Sequence, residues 1–168
     1  MLETARLTLR KPQASDIPAW TEFFCTPRAR FIGGGAEGDA GKAWRAFAAF
    51  IGHWDIHGFG IYTYCDKATG QPLGGCGIWF PGNWPERELG WTVWSPAHEG
   101  QGYVAEAARA VLSHLFHDLG WQTTVSYIDP ANARSIALAE RLGAVLDENA
   151  ERPDPEDLVY RHPKPEAA

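Results

Sequence analysis

Basic residues are the minority charge in this sequence: 15 Lys and Arg face 21 Asp and Glu, giving a formal net charge of −6 and a pI near 5.5. A nucleic-acid surface needs clustered cations to neutralise phosphates, so that class of partner is excluded. A cationic partner is mildly favoured instead. Cysteine is scarce too. Cys25, Cys65 and Cys76 are odd in number and form no C-x-x-C pair. That leaves neither a disulfide framework nor a thiolate zinc site, and the three read as buried thiols in a reducing compartment. No stretch reaches the ~20 apolar residues of a membrane span. The opening residues, Met1-Leu2-Glu3-Thr4-Ala5-Arg6, lack the charged-then-apolar pattern of a secretory leader. A cytoplasmic location with no membrane partner is the expectation.

What is present suits one globular domain over residues 1–168, since a domain takes roughly 100–200 residues. Hydrophobic residues make up 45% of the chain and include eight tryptophans, enough for a core without metals or disulfides. Neither an internal repeat nor a long linker interrupts it. Leu7-Thr8-Leu9-Arg10 alternates as a half-buried strand does. Ser15-Asp16-Ile17-Pro18 reads as a helix start with Ser15 as N-cap, ended by Pro27. Apolar residues at helical spacing follow over 42–54 (Ala43, Phe47, Phe50, Ile51, Trp54). Strands are expected over 61–65, 73–80, 88–94, 122–128, 144–146 and 158–161, and helices over 102–119 and 132–142, the latter closed by Gly143. The acidic, proline-bearing segment 147–157 reads as an exposed loop. This order predicts a mixed α/β fold with helices packed on a sheet.

The segment with chemical content is Glu88-Leu89-Gly90-Trp91-Thr92-Val93-Trp94, then Glu99-Gly100-Gln101-Gly102-Tyr103-Val104. A strand feeds a glycine loop that opens a helix. Unspent N–H groups at such a helix start, with the positive end of its dipole, make an anion site. Three other readings fail on spacing. A P-loop around Gly41-Lys42 would need glycine at 36 and Ser or Thr at 43, where the chain has Ala36 and Ala43. Gly100-x-Gly102-x-x-Ala105 matches the dinucleotide fingerprint. Five residues separate it from Trp94, however, and the next strand-ending acid is Asp129, so the expected context is missing. His53 with His57 and His114 with His117 lack the H-E-x-x-H pattern, and Gly58 argues against one helix through the first pair, so no metal is expected.

The segment resembles the acyl-CoA-binding motif of the GNAT superfamily, a six-residue pattern with Gln or Arg first, Gly fourth and Gly or Ala sixth. Thr4-Ala5-Arg6-Leu7-Thr8-Leu9-Arg10 and Glu88-Leu89-Gly90-Trp91 resemble strands of its ribosomal-protein alanine N-acetyltransferase branch. Asn132-Ala133-Arg134-Ser135, followed by Glu140-Arg141-Leu142-Gly143, resembles that branch's N-x-x-S segment and helix. Glu99 departs from the pattern at its first position and Val104 at its last. Because the phosphate contacts are main-chain N–H groups, neither departure removes the cradle.

The resemblance implies a central, mostly antiparallel sheet of about seven strands flanked by about four helices. It also implies direct acetyl transfer from acetyl-CoA to an amine, that of a protein N-terminus or a small molecule. Val93, Trp94, Glu99, Gly100, Gln101, Gly102, Tyr103, Val104, Asn132 and Ser135 would then hold the cofactor. Direct transfer needs a base for the amine and a proton for the leaving thiolate. Glu88 is the base candidate, ahead of Glu86, and lies about 17 Å along its strand from Val93 at ~3.3 Å per residue. Ser135 is the proton donor that the resemblance implies. Asn132 is equally suited to capping the helix it precedes. The aromatics Phe23, Phe31, Trp44, Trp54, Trp79, Trp84 and Trp91 read as core, with some from the first two helices available to line an acceptor pocket. A second copy of the chain is a further partner to consider. The competing functional reading is an acyl-CoA-binding module that keeps the fold without turnover.

Overall fold

In the computed structural model, which describes residues 1–164, alternation along each strand sets the face it buries. Leu7 and Leu9 of β2 (Leu7–Arg10) are fully buried while Thr8 and Arg10 are not. With β1 (Leu2–Glu3), β3 (Ile61–Asp66), β4 (Pro72–Trp79) and β5 (Glu88–Val93), β2 forms an antiparallel run. A second antiparallel group holds β6 (Thr123–Ile128) and β7 (Val145–Leu146) on either side of β8 (Leu158–Pro163). The order is β1-β2-β3-β4-β5-β6-β8-β7 in one eight-stranded sheet. The sequence yields about seven because β1 has two residues, too few for an alternation to show.

The groups meet where β5 and β6 run parallel, and that contact holds a single register pair, Glu88 with Val125. Beyond it the strands part, and the Ser126 hydroxyl spans the gap by donating to the Leu89 carbonyl at 2.7 Å. Leu9, Tyr64, Ile78 and Leu89 lie on one face under α3 (Tyr103–Ser113), which contributes Ala107, Ala108 and Val111. The opposite face of β5 carries Glu88, Gly90 and Thr92, and α1 (Ile17–Phe24) and α2 (Ala40–His57) cover that side. Phe50 of α2 meets Trp79 edge-on at 5.5 Å, and Trp20 packs among Phe24, Phe47 and Trp94. Burying such a ring stabilises by about 1.5–3 kcal/mol.

Three local readings change. Ser15 is not the N-cap of the first helix. Asp16 takes that position after a 3-10 turn (Ala14–Asp16), and its carboxylate joins the neighbouring strands. It accepts both Arg10 Nη groups at 2.8 and 2.7 Å, the Gln13 N–H at 3.0 Å and the Thr63 hydroxyl at 3.0 Å. Secondly, α2 runs to His57, so His53 and His57 do share a helix. Gly58, at φ 75, is the residue that ends it. Their rings lie 4.5 Å apart, and His53 bonds the Phe59 carbonyl through Nδ1 and the Phe80 N–H through Nε2, which fixes its neutral tautomer. Among the described residues no group of three His, Cys, Asp or Glu could hold a metal ion. Thirdly, α3 stops at Ser113 and continues as a π turn, His114–Asp118. No helix of the described residues is long and apolar enough to cross a membrane.

Candidate active site

The loop after β5 ends in two glycines in the left-handed region, Gly100 at φ 71 and Gly102 at φ 79. These conformations turn successive N–H groups to one side, which side-chain-bearing residues rarely permit. Gly102 is the N-cap of α3. Among the described residues no acceptor takes the N–H groups of residues 100–105. Arg6 braces this cradle from behind. It donates to the Gln101 carbonyl at 3.1 Å and to the Glu106 carboxylate at 2.7 Å, and lies 4.5 Å over the Tyr103 ring. Thr4 also donates to Glu106, so the turn before β2 is tied to the first turn of α3.

The cradle opens into a cleft of about 1120 Å³ where β5 and β6 diverge. Its lining carries Arg28, Arg30, Arg134 and Arg141 against one carboxylate, Glu99, in a chain whose net charge is −6. Glu99 bridges two of these arginines. Arg28 Nε donates to Oε1 at 2.8 Å and Arg134 Nη1 to Oε2 at 2.7 Å. Burial works against the charge, but the two guanidinium groups hold the Glu99 carboxyl below its usual range. Arg28 also caps the end of β5, donating to the Val93 carbonyl at 2.7 Å and the Trp94 carbonyl at 3.0 Å.

The far wall is the start of α4 (Ala133–Arg141). Asn132 caps that helix, its Oδ1 accepting from the Ser135 N–H at 3.3 Å. It also lines the cleft, so both readings of this residue hold in its geometry. Ser135 Oγ accepts from Trp91 Nε1 at 3.2 Å, which leaves the hydroxyl's own proton free for another partner.

Glu88 lies at the start of β5, outside the cleft lining. Trp84 Nε1 donates to its carboxylate at 2.6 Å. Burial pushes the carboxyl up to about 7, opposed by that hydrogen bond and reinforced by the charge of Asp157. Beside it on the same face, a Cβ at Gly90 would meet nothing nearer than the Glu88 carboxylate itself at 3.9 Å. No side chain of β5 therefore stands between Glu88 and Thr92 on this face of the strand. Glu86 cannot serve instead, because both its oxygens accept from Arg161 at 2.8 Å.

Of the residues predicted from sequence, Val93, Glu99, Gly100, Gly102, Tyr103, Val104, Asn132 and Ser135 converge on the cleft. Gln101 offers only its main chain, since its side chain folds back to the Ala97 carbonyl at 2.6 Å. Trp94 likewise keeps its ring buried under α1 and α2. Among the aromatics, Phe23, Phe31 and Trp91 line the cleft, whereas Trp44 is exposed. Sequence reasoning missed Arg28, which sits 71 positions from Glu99, and the Trp84 contact to Glu88. A tryptophan four residues before the base candidate was the one available signal for the latter.

Residues 6–145 match the family described as the acetyltransferase (GNAT) domain. An acetyltransferase from Agrobacterium tumefaciens str. C58 is 42% identical and superposes with a TM-score of 0.89, covering 96% of this chain and 92% of that one. An uncharacterised protein of Bacillus subtilis (strain 168), YkkB, is 38% identical over 90 residues, 52% of this chain; the match spans about half of that relative, 51%. At 14% identity, a ribosomal-protein-S5-alanine acetyltransferase from Vibrio fischeri shares the fold, with a TM-score of 0.69 over 98% of this chain and 96% of its own. A glycine cradle at the divergence of two parallel strands, within a match that spans most of the chain, places this protein in the GNAT acetyltransferase family.

Proposed function

We propose that the chain is an acetyl-CoA-dependent N-acetyltransferase that passes the acetyl group directly to an amine. The observation that carries this reading is Glu88, an acid held near neutrality on the same strand that leads into the cradle. A base with a pKa near the working pH is the most effective one for releasing an amine from its proton. The cleft suits the cofactor that the family implies. Its unspent N–H groups and excess of arginine match a pyrophosphate, which acetyl-CoA supplies together with the thioester to be attacked.

Each residue then has a task. The N–H groups of residues 100–105 hold the pyrophosphate, while the β5 main chain near Val93 and the Asn132 amide orient the pantetheine arm. Glu88 takes the proton from the amine, directly or through water. Ser135, held through its oxygen by Trp91, offers its proton to the departing thiolate. The acceptors proposed are a protein N-terminus or a small-molecule amine. The first is supported by the branch resemblance and by the fold shared with the Vibrio fischeri enzyme.

Thermal melts with acetyl-CoA and with NADH test the cofactor. A ligand at 100 times its Kd stabilises by about 2.7 kcal/mol, a rise of roughly 5–10 °C for a domain of this size. Acetyl-CoA should give that rise and NADH none; no rise at millimolar acetyl-CoA refutes the assignment. Free-thiol release across a panel of amines tests turnover. Binding without release for any amine class favours the idle acyl-CoA-binding module.

A further inference from the structure

Glu99 is the one carboxylate in a cleft lined by four arginines, and it occupies two of them from opposite sides. It stands at the edge of the glycine cradle, its own N–H already spent on the Pro96 carbonyl, so its contribution there is the side-chain charge. Arg28 has the Val93 and Trp94 carbonyls to fix it without Glu99. Arg134, with a side chain 86% exposed, has no other acceptor among the described residues. The carboxylate is thus dispensable for placing Arg28 and serves to neutralise both guanidinium groups.

We infer that Glu99 is an internal counter-anion that competes with the cofactor's phosphates for Arg28 and Arg134, and so sets cofactor affinity below what the cradle can deliver. This rests on the acetyl-CoA reading above. When a phosphate enters, Arg134 exchanges a carboxylate for a phosphate oxygen, and the residual negative charge of Glu99 then opposes the bound group. The device favours release: a protein that must discharge CoA after every turnover gains from a cleft that already holds a replacement anion. It also leaves other cellular anions less to bind at Arg28 and Arg134, which are already paired.

The test is Glu99→Gln, read by calorimetric titration with CoA and by the melting temperature without ligand. For two like charges roughly 6 Å apart at an effective dielectric of about 40–80, removing one corresponds to a gain of roughly 3–10-fold, the tightening of CoA binding expected of Glu99→Gln. The ligand-free variant should melt about 2–4 °C lower, since it loses two ion pairs. Weaker stability with tighter binding is a combination that a merely structural or merely positioning glutamate does not produce. Arg134→Gln, at an exposed position that spares folding, should weaken CoA binding roughly 3–10-fold by the same arithmetic. Unchanged or weaker binding by Glu99→Gln, or unchanged binding by Arg134→Gln, overturns the inference alone. No CoA binding by the wild type overturns the cofactor assignment, and the inference with it.

Discussion

Replacing Glu88 by glutamine separates what this acid does for the reaction from what it costs the fold. Gln keeps the shape and can still accept the Trp84 N–H, now 2.6 Å from the carboxylate, but it cannot take up a proton. General-base catalysis contributes typically 10²–10⁴-fold, so kcat/KM should fall by about that factor while CoA affinity stays near wild type. Wild-type kcat/KM should rise with pH through about 7, where the Glu88 carboxyl ionises in the fold. The variant should lack that inflection and keep the one belonging to the free amine. Stability should move the other way. A glutamate ordinarily titrates near 4.5 and this one near 7, so folding holds the proton more tightly. That contribution is complete below pH 4.5, is lost as pH rises through 7, and stays lost above it. At about 1.4 kcal/mol per pH unit the gap sets an upper bound of about 3 kcal/mol. Glu88→Gln should therefore be more stable than wild type above pH 7 by up to that amount, and equal to it near pH 4. Urea melts at pH 4.5, 6 and 8, with pH–rate profiles on one confirmed acceptor amine, make the comparison. A uniform loss of rate at every pH refutes the base role and makes Glu88 a holder of a cationic acceptor. Equal stabilities at pH 8 refute the desolvation argument.

Two further substitutions test the frame around the site. Gly102→Asp puts a side chain at φ 79 and a carboxylate in the cradle, so calorimetry should show CoA affinity down by about 10-fold or more, a charge and strain effect of one to a few kcal/mol; normal affinity in a folded variant moves the phosphate site elsewhere. Asp16→Ala strips the acceptor from Arg10, Gln13 and Thr63 at a residue 1% exposed, and chemical melts should show a loss of about 3–5 kcal/mol. Burial disfavours the Asp16 charge, but the bonds from Arg10, Gln13 and Thr63 overcome it and hold the carboxyl below its ordinary value of 3.8. Its contribution is therefore present above pH 3.8 and is lost as pH falls through the lowered value.

The parts of the site that the sequence revealed are those built from neighbours in the chain. The cradle is legible because strand, glycines and helix follow one another, and the anion site comes from main-chain geometry that glycine spacing encodes. Glu88 is legible from its place on the strand, although its raised pKa is not, since that depends on the tertiary packing around it. What stayed hidden spans long separations. Arg28 reaches Glu99 and the end of β5 from a 3-10 helix (Pro27–Ile32) that carries no motif. Ser15 has the residue type of a cap, but the 3-10 turn Ala14–Asp16 takes it up and leaves the N-cap position to Asp16, whose side chain turns instead to Arg10 and Thr63. Gly58 illustrates how position alters meaning: a glycine four residues after Trp54 reads as a breaker, yet its left-handed conformation is what lets α2 complete its last turn.

The single register pair between β5 and β6 makes the eight-stranded sheet two cooperative units joined at a seam. One unit is the antiparallel run β1–β5 with α3; the other is β6, β8 and β7 with α4, and its own apolar cluster of Ile128, Ala139, Ala144 and Tyr160. Trp91 packs against both clusters and donates to Ser135 across the seam, which the Ser126–Leu89 bond and the Glu86–Arg161 ion pair also cross. Cooperative opening often follows such supersecondary units, so amide hydrogen exchange should show the C-terminal unit opening at a lower free energy than the whole domain. A ligand lying along the divergence, touching Val93 on one side and Asn132 on the other, links the two units. By mass action such a ligand would raise the free energy of opening of the C-terminal strands, and their amide protection should increase with its occupancy.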